Sequence, residues 1–468
     1  MKIITTALLV MLTASILLLQ PCEVSAFSVG DEREIGEQLL SLVRKEFKLL
    51  DEPDITQYID SLGKELLTAA GPQYFDYHFF VISDKEVNAF AAPSGLLFFH
   101  SGLIEVMDQE DELASVMAHE VAHVAKRHLA GRIEKAKVMN AGTMAMMLAG
   151  MALGKGEVSE AIITGSMAAN VSMALKFSRE DEEESDRLAY LWMQGAERDP
   201  AAMVSMLSKL RRMTQFMRGS MPPYLLTHPE SGMRLGYVQD MVMFAEKKSY
   251  KKIDNFNFLR IKYRLQSLTK PPESLIPYYM KKAGGEATDE QSAMAHYGLA
   301  LCYAKSAQFD KAVSSLAKVI DRYPDKSILQ ADMGRIYSEA GQPERAVFYL
   351  QKASDANPGD AYAAYYLAEA LQQQGELARA SGLYEELLTV LPDYAKLYYQ
   401  LGKLKADEGS KGVGFYYLGM YYWFEGNLEQ AKSFLGQAVE NLPTGDNSRE
   451  KAEVMIARIE KLKKNNKL

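Results

Sequence analysis

The chain of 468 residues contains two cysteines and two tryptophans, and its 53 basic residues are outnumbered by 61 acidic ones. So few cysteines exclude a disulfide-stapled scaffold and a cysteine-ligated zinc finger. The net charge of -8 excludes the basic footprint with which a primary nucleic-acid binder covers phosphates. Long hydrophobic runs are also scarce. Beyond the N-terminus, the uncharged stretches Val138–Gly154 and Ala161–Leu175 fall short of the roughly 20 residues that span a bilayer. They are rich in Ala, Gly and Met rather than Leu and Ile, and read as a buried or interfacial helical hairpin, which leaves peripheral membrane contact open. What is present is a globular composition, 48% hydrophobic and 24% charged, in a length that allows two to four domains.

Residues 1–26 read as a cleaved signal peptide: Lys2, the uncharged run Ile3–Leu19, then Val24-Ser25-Ala26 with small residues where a signal peptidase reads. An uncleaved anchor would need a longer run, and a lipoprotein signal at Cys22 would need small residues where Gln20 and Pro21 stand. Cleavage removes Cys22 and leaves Cys302 alone, so the exported chain has no internal disulfide. Export without a disulfide points to the bacterial envelope and a periplasmic location.

The mature chain divides into a domain of mixed composition, residues 27–260, a linker at 261–290 around Pro271-Pro272, a repeat array at 291–445 and a polar capping helix at 446–468. Within the first, Tyr74–Ile82 and Gly95–His100 read as strands, with turn chemistry at Ala91–Gly95 between them. The array follows a ruler. Pro324, Pro358 and Pro392 lie 34 residues apart, with Ala312, Ala346 and Ala380 each 12 residues before them, the period of tetratricopeptide repeats. A further copy ends at Pro443, 51 residues on, so Tyr394–Gly409 reads as an inserted single helix. The fold class expected is therefore α+β: a small sheet beside helices, followed by an α-solenoid.

His119-Glu120-Val121-Ala122-His123 is an HExxH sequence within a helical pattern of apolar residues, Leu113, Val116, Met117, Val121 and Val124. Residues four apart share a helix face, so His119 and His123 can hold one metal ion, with Glu120 placed to take a proton from its water. Zinc normally takes a third protein ligand. A continuation HExxHxxGxxH is excluded, because Lys126 and Leu129 occupy those two places, and His128, off the helical register, reads as a surface residue. The acidic run Ser178–Asp186 supplies candidates, but spacing does not choose among Glu180, Glu182, Glu183 and Glu184.

These motifs resemble those of the zinc endopeptidases of the HtpX and CAAX prenyl-protease family. The resemblance rests on His119–His123, on Ser178-Arg179 followed by Glu182-x-x-x-Asp186, on the segment from Asn88 and Ala89 to Gly95 with Gly102-Leu103 behind it, and on Thr227-His228-Pro229 with Arg234 downstream. Signal peptide, catalytic domain and repeats together are similar to its periplasmic BepA-like branch. The resemblance implies a zincin-like fold, one Zn2+ per chain on His119, His123 and Glu182, and Asp186 orienting a ligand histidine. It further implies that His228 can fill the open zinc position as a lock; when the site is not plugged, His228 or Arg234 is expected to stabilise the oxyanion. Implied partners are unfolded or misassembled envelope proteins and the β-barrel assembly machinery, with degradation and chaperone-like assistance as the two rival activities. An extended substrate is expected to pair with the strand edge at Asn88, Ala89, Gly95, Leu96 and Leu97.

Overall fold

The computed structural model describes residues 28–135, 176–216, 222–229, 231–245, 248–250, 252–284 and 290–465. The expected signal peptide and the stretches Val138–Gly154 and Ala161–Leu175 lie outside the described residues. Among the described residues, no helix is long and apolar enough to cross a membrane.

Helix α1 (Val29–Glu46) begins at a reciprocal cap, in which Ser28 Oγ accepts from Asp31 N–H at 3.1 Å and Asp31 Oδ2 accepts from Ser28 N–H at 2.8 Å. Proline at the first position opens α2 (Pro53–Ala70), where its missing N–H costs nothing. Three short strands follow: β1 (His78–Ile82), β2 (Ala89–Ala92) and β3 (Leu96–His100). Their order is β1-β3-β2, with β3 parallel to β1 and antiparallel to β2. Gly95, at φ 81°, closes the turn between β2 and β3, and a Cβ there would lie 2.3 Å from the Asp76 carbonyl oxygen, so no other residue fits.

This topology corrects the expected substrate edge. Leu96 and Leu97 belong to the central strand, which is paired on both sides and buried at all five positions, so neither they nor Gly95 offers a free backbone edge. The apolar run LLFFH is what a strand buried on both faces looks like. Ala91 and Ala92, read as part of the turn, belong with Ala89 to an edge strand instead.

Behind the sheet lie α3 (Ser101–Val106), α4 (Glu110–Ala125) and α5 (His128–Lys135), then α6 (Arg179–Gly195), α7 (Ala201–Phe216), α8 (Pro223–Thr227) and α9 (Ser231–Phe244). One core joins them: Leu97 and Phe99 of β3, Met117 and Val121 of α4, Ala189 of α6, Leu207 of α7 and Val238 of α9 are all buried in it. The HExxH helix α4 therefore sits inside the domain with nearly every side chain covered, and its first turn carries Glu110, Asp111 and Glu112 where the helix dipole favours them.

The stretch 261–290, expected as a linker, is largely helical. Helices α10 (Phe256–Thr269) and α11 (Pro272–Ala283) occupy most of it. Arg260 and Arg264 of α10 are buried and donate to Asp54 of α2 at 2.8 and 2.9 Å, and Arg260 also donates to Asp332 of the repeats at 2.8 and 2.9 Å. Pro271-Pro272 starts a helix rather than a tether, since proline at the first turn is compatible with one.

The repeats run as antiparallel helices: α12 (Glu290–Lys305), α13 (Phe309–Arg322), α14 (Ile328–Glu339), α15 (Pro343–Ala356), α16 (Ala361–Gln373), α17 (Leu377–Val390), α18 (Ala395–Asp407), α19 (Lys411–Phe424), α20 (Leu428–Asn441) and α21 (Asn447–Asn465). Pro324, Pro358 and Pro392 each follow the second helix of a pair. A Cβ on Gly334 would lie 2.5 Å from Leu350, one on Gly402 2.9 Å from Leu418, and one on Gly419 2.6 Å from Leu435. The same 16-residue offset in all three shows that α18, the helix in the 17 extra residues before Pro443, is stacked like its neighbours rather than looped out.

Candidate metal centre

His119 and His123 project from α4, Glu182 from α6, and His228 caps the C-terminus of α8. One ligand atom from each of these four buried residues lies within 4.8 Å of all the others. His119 Nε2 and His123 Nε2 are 3.0 Å apart; Glu182 carboxylate oxygens lie 3.6 and 3.5 Å from them; His228 Nδ1 lies 3.3 Å from His119 Nε2 and 2.8 Å from Glu182 Oε1. Glu120 faces the same space. It is fully buried, and neither carboxylate oxygen has a hydrogen bond among the described residues, the nearest imidazole nitrogen being His228 Nε2 at 3.5 Å.

The remaining polar groups hold the cluster in place. Asp186 Oδ1 lies 2.9 Å from His119 Nδ1 and, with Oδ2, accepts a two-pronged pair from Arg234 at 2.7 and 2.8 Å, while Tyr237 Oη–H donates to Oδ2 at 2.6 Å. Arg234 Nη1 reaches Glu182 Oε2 at 2.5 Å. Its guanidinium thus hydrogen-bonds Asp186 and lies in charge contact with Glu182, where Nη1 makes no hydrogen bond among the described residues. Burial pushes the Glu182 carboxyl up, but Arg234 and then His228 outweigh it and hold it well below its ordinary range. Burial acts the same way on Asp186, and Arg234 and His119 overcome it. Burial keeps His123 neutral, far below an ordinary imidazole. His119 is opposed by burial and by Arg234, yet Asp186 pulls its pKa up to about 9.

Of the residues picked from the sequence, His119, Glu120, His123, Glu182, Asp186, His228 and Arg234 come together; Glu180, Glu183 and Glu184 do not enter the cluster. Asn88 and Ala89 lie at the start of edge strand β2. Three aromatic neighbours, Phe177, Tyr224 and Tyr237, carry no motif in the sequence, and one histidine lies elsewhere than expected. Phe177 packs on His123 with ring centroids 3.9 Å apart, and Tyr224 stacks on His228 at 4.4 Å and 18°. The four-residue spacing of Tyr224 and His228 was the available signal for the second. His128 is buried, not a surface residue, with Nδ1 3.0 Å from His123 Nδ1. The misreading came from extending α4 past its end at Ala125.

A metalloprotease domain bearing its metal-binding groups on two facing helices, with an α-solenoid behind it, is the class that fold and site define. Residues 53–242 match the model of peptidase family M48, and residues 294–326, 337–406 and 415–441 match tetratricopeptide repeat models. The chain is homologous to the beta-barrel assembly-enhancing proteases. It is 27% identical over 384 residues to that of Escherichia coli (strain K12), covering 74% of this chain and 78% of the relative. It is 28% identical over 391 residues to that of Yersinia pestis, covering 75% and 79%. The catalytic part alone is similar to the mitochondrial metalloendopeptidase OMA1 of Schizosaccharomyces pombe, 29% identical over 194 residues, 41% of this chain and 55% of that one. The resemblance read from the motifs is thereby met.

Proposed function

We propose that this chain is a zinc endopeptidase of the bacterial periplasm that acts on misfolded or stalled outer-membrane proteins, with its repeats recruiting partners. The observation that carries the chemistry is a buried set of imidazole and carboxylate donors converging on one point, with a buried carboxylate beside it, Glu120, that makes no hydrogen bond among the described residues. Nitrogen and carboxylate donors in this number suit zinc. His119, His123 and Glu182 would hold the ion, which when bound supplies Lewis acidity to the scissile carbonyl and to an attacking water. Glu120 accepts the proton of that water and returns it to the leaving amine. Asp186 fixes the ring of His119, and Arg234 fixes both carboxylates. The substrate class rests on the relatives' name, beta-barrel assembly-enhancing protease, and the location on the signal-peptide reading of residues 1–26.

The substrate edge moves to β2. Val87 C=O accepts from Tyr224 N–H at 3.4 Å on the outer side, while Asn88 C=O accepts from His100 N–H at 3.0 Å on the inner side. Backbone groups alternate along a strand, so Ala89 and Ala91 direct theirs outward, where an extended substrate can pair with loose sequence preference. Helix α8 sits at the start of this edge and carries His228 into the ligand cluster. That placement favours a resting lock over a transition-state role for His228. It also supports a second reading, an envelope scaffold whose protease is held off most of the time.

Full-length chain and its Glu120→Gln variant, incubated with an unfolded protein such as reduced casein, test the proposal. Cleavage by the first and none by the second, at equal zinc content, is the expected result. Full complementation of a deletion strain by Glu120→Gln would instead favour the scaffold.

A further inference from the structure

The geometry points to His128 as a positioning residue for His123, passing the orientation of that imidazole on to a carboxylate of α6. The inference rests on the metal site proposed above and extends it to a residue outside the ligand set.

His123 turns Nε2 toward His119 and Glu182, at 3.0 and 3.5 Å. Its other nitrogen, Nδ1, faces His128 Nδ1 at 3.0 Å. If Nε2 is to offer a lone pair to a metal, the His123 proton must sit on Nδ1, and an acceptor must lie opposite. His128 Nδ1 is that acceptor. The proton of His128 then sits on Nε2, which lies 3.1 Å from Glu184 Oε2, a carboxylate that can only accept when ionised. Ser185 Oγ lies 3.4 Å from His128 Nδ1 and can donate to the same lone pair. One assignment of protons thus satisfies every member: His123 Nδ1–H to His128, and His128 Nε2–H to Glu184. Lys126 Nζ, 2.7 Å from Glu184 Oε1, holds the terminal carboxylate.

The two ligand histidines are then supported in parallel from one helix. His119 leans directly on Asp186, and His123 leans on Glu184 through one added imidazole. The chain is bent to make this possible. α4 ends at Ala125, and Arg127 adopts φ 54°, a left-handed conformation unusual for arginine, with its guanidinium tied to Glu32 at 2.5 Å. The reversal brings His128, five residues beyond His123, back over the imidazole at a spacing that a continuous helix would not allow. Partners that orient a ligand histidine commonly contribute 10- to 100-fold in metal affinity.

The experiment measures zinc affinity by chelator competition for full-length protein, His128→Leu, His128→Asn and His128→Gln, with the melting temperature of each metal-free protein alongside. Asn places its amide oxygen near the Nδ1 position and can accept from His123; Gln places its amide near Nε2 and cannot. Zinc binding weakened about 10- to 100-fold in Leu and Gln, kept near the parent value in Asn, with metal-free melting unchanged among the three, is the expected result. Undiminished affinity in His128→Leu overturns the inference. So does an equal loss in all three variants tracking a fall in metal-free melting temperature, which marks a packing role. If the unaltered protein binds no zinc, the metal reading itself fails, and that outcome is distinct from either.

Discussion

At the scale of single residues, the site was legible to the extent that its chemistry travels with sequence spacing. His119, Glu120 and His123 announce themselves because four residues make one helical turn. Glu182 did not: four carboxylates in one acidic run are equivalent until a fold decides which turn of α6 faces α4, and Glu182 is buried while Glu180 and Glu183 are exposed. His128 was unreadable for the opposite reason, since its position depends on one left-handed residue that no pattern reveals. The lock is tested here. His228 Nδ1 lies in the cluster, so His228→Ala should raise cleavage of reduced casein or cause self-cleavage, with zinc retained on the other three residues. Lower cleavage at unchanged zinc content would assign His228 to the transition state instead.

At the scale of elements, the repeat array was legible almost to the residue, because prolines and small residues recur on a fixed period and each unit contacts only its neighbours. Gly334 approaches Leu350 so closely that a Cβ would lie 2.5 Å away. Gly334→Val should therefore destabilise the array by about 1–3 kcal/mol through overpacking, measured by urea unfolding; an unchanged midpoint would show that the helices separate freely. The sheet was half legible. An apolar run marks a strand but not its neighbours, so β3 was mistaken for an edge and Ala91-Ala92, the second half of β2, for a turn. If substrate pairs with β2, Ala91→Pro removes an outward N–H without removing an inner ladder bond. Casein cleavage should then need a higher substrate concentration for half-maximal rate while zinc content stays constant; an unaltered concentration dependence would remove β2 from substrate binding.

At the scale of the whole molecule, the sequence suggested two modules on a tether, and the structure joins them through buried charge. Asp54 and Asp332 accept from Arg260, Asp54 also from Arg264, and Tyr297 and Tyr362 complete the set on Asp332 at 3.0 and 2.8 Å. Such long-range pairing leaves no trace in local periodicity. Loss of one partner strands a buried charge, so Arg260→Ala should cost about 3–5 kcal/mol, read in thermal unfolding of the full chain; a loss within error would mean water reaches these carboxylates. Both carboxyls are pushed up by burial, but Asp54 is held well below the ordinary range by Arg264 and Arg260, and Asp332 is lowered by Arg260. A depressed folded pKa means stability that is complete above the unfolded value, about 3.9, and lost as pH falls through the folded one. The contribution of this network should hold at pH 5 and drain away below about pH 4. A fall between pH 7 and 5 that Asp54→Asn abolishes would contradict that sign.

On the proposed function, the four buried donors form a metal site with Glu182 as the third ligand beside the HExxH histidines. Metal analysis of the purified chain and of Glu182→Ala, Glu180→Ala and Glu183→Ala tests it most directly. Bound zinc is expected in the parent, in Glu180→Ala and in Glu183→Ala, and its loss from Glu182→Ala. Undiminished zinc in Glu182→Ala would contradict it.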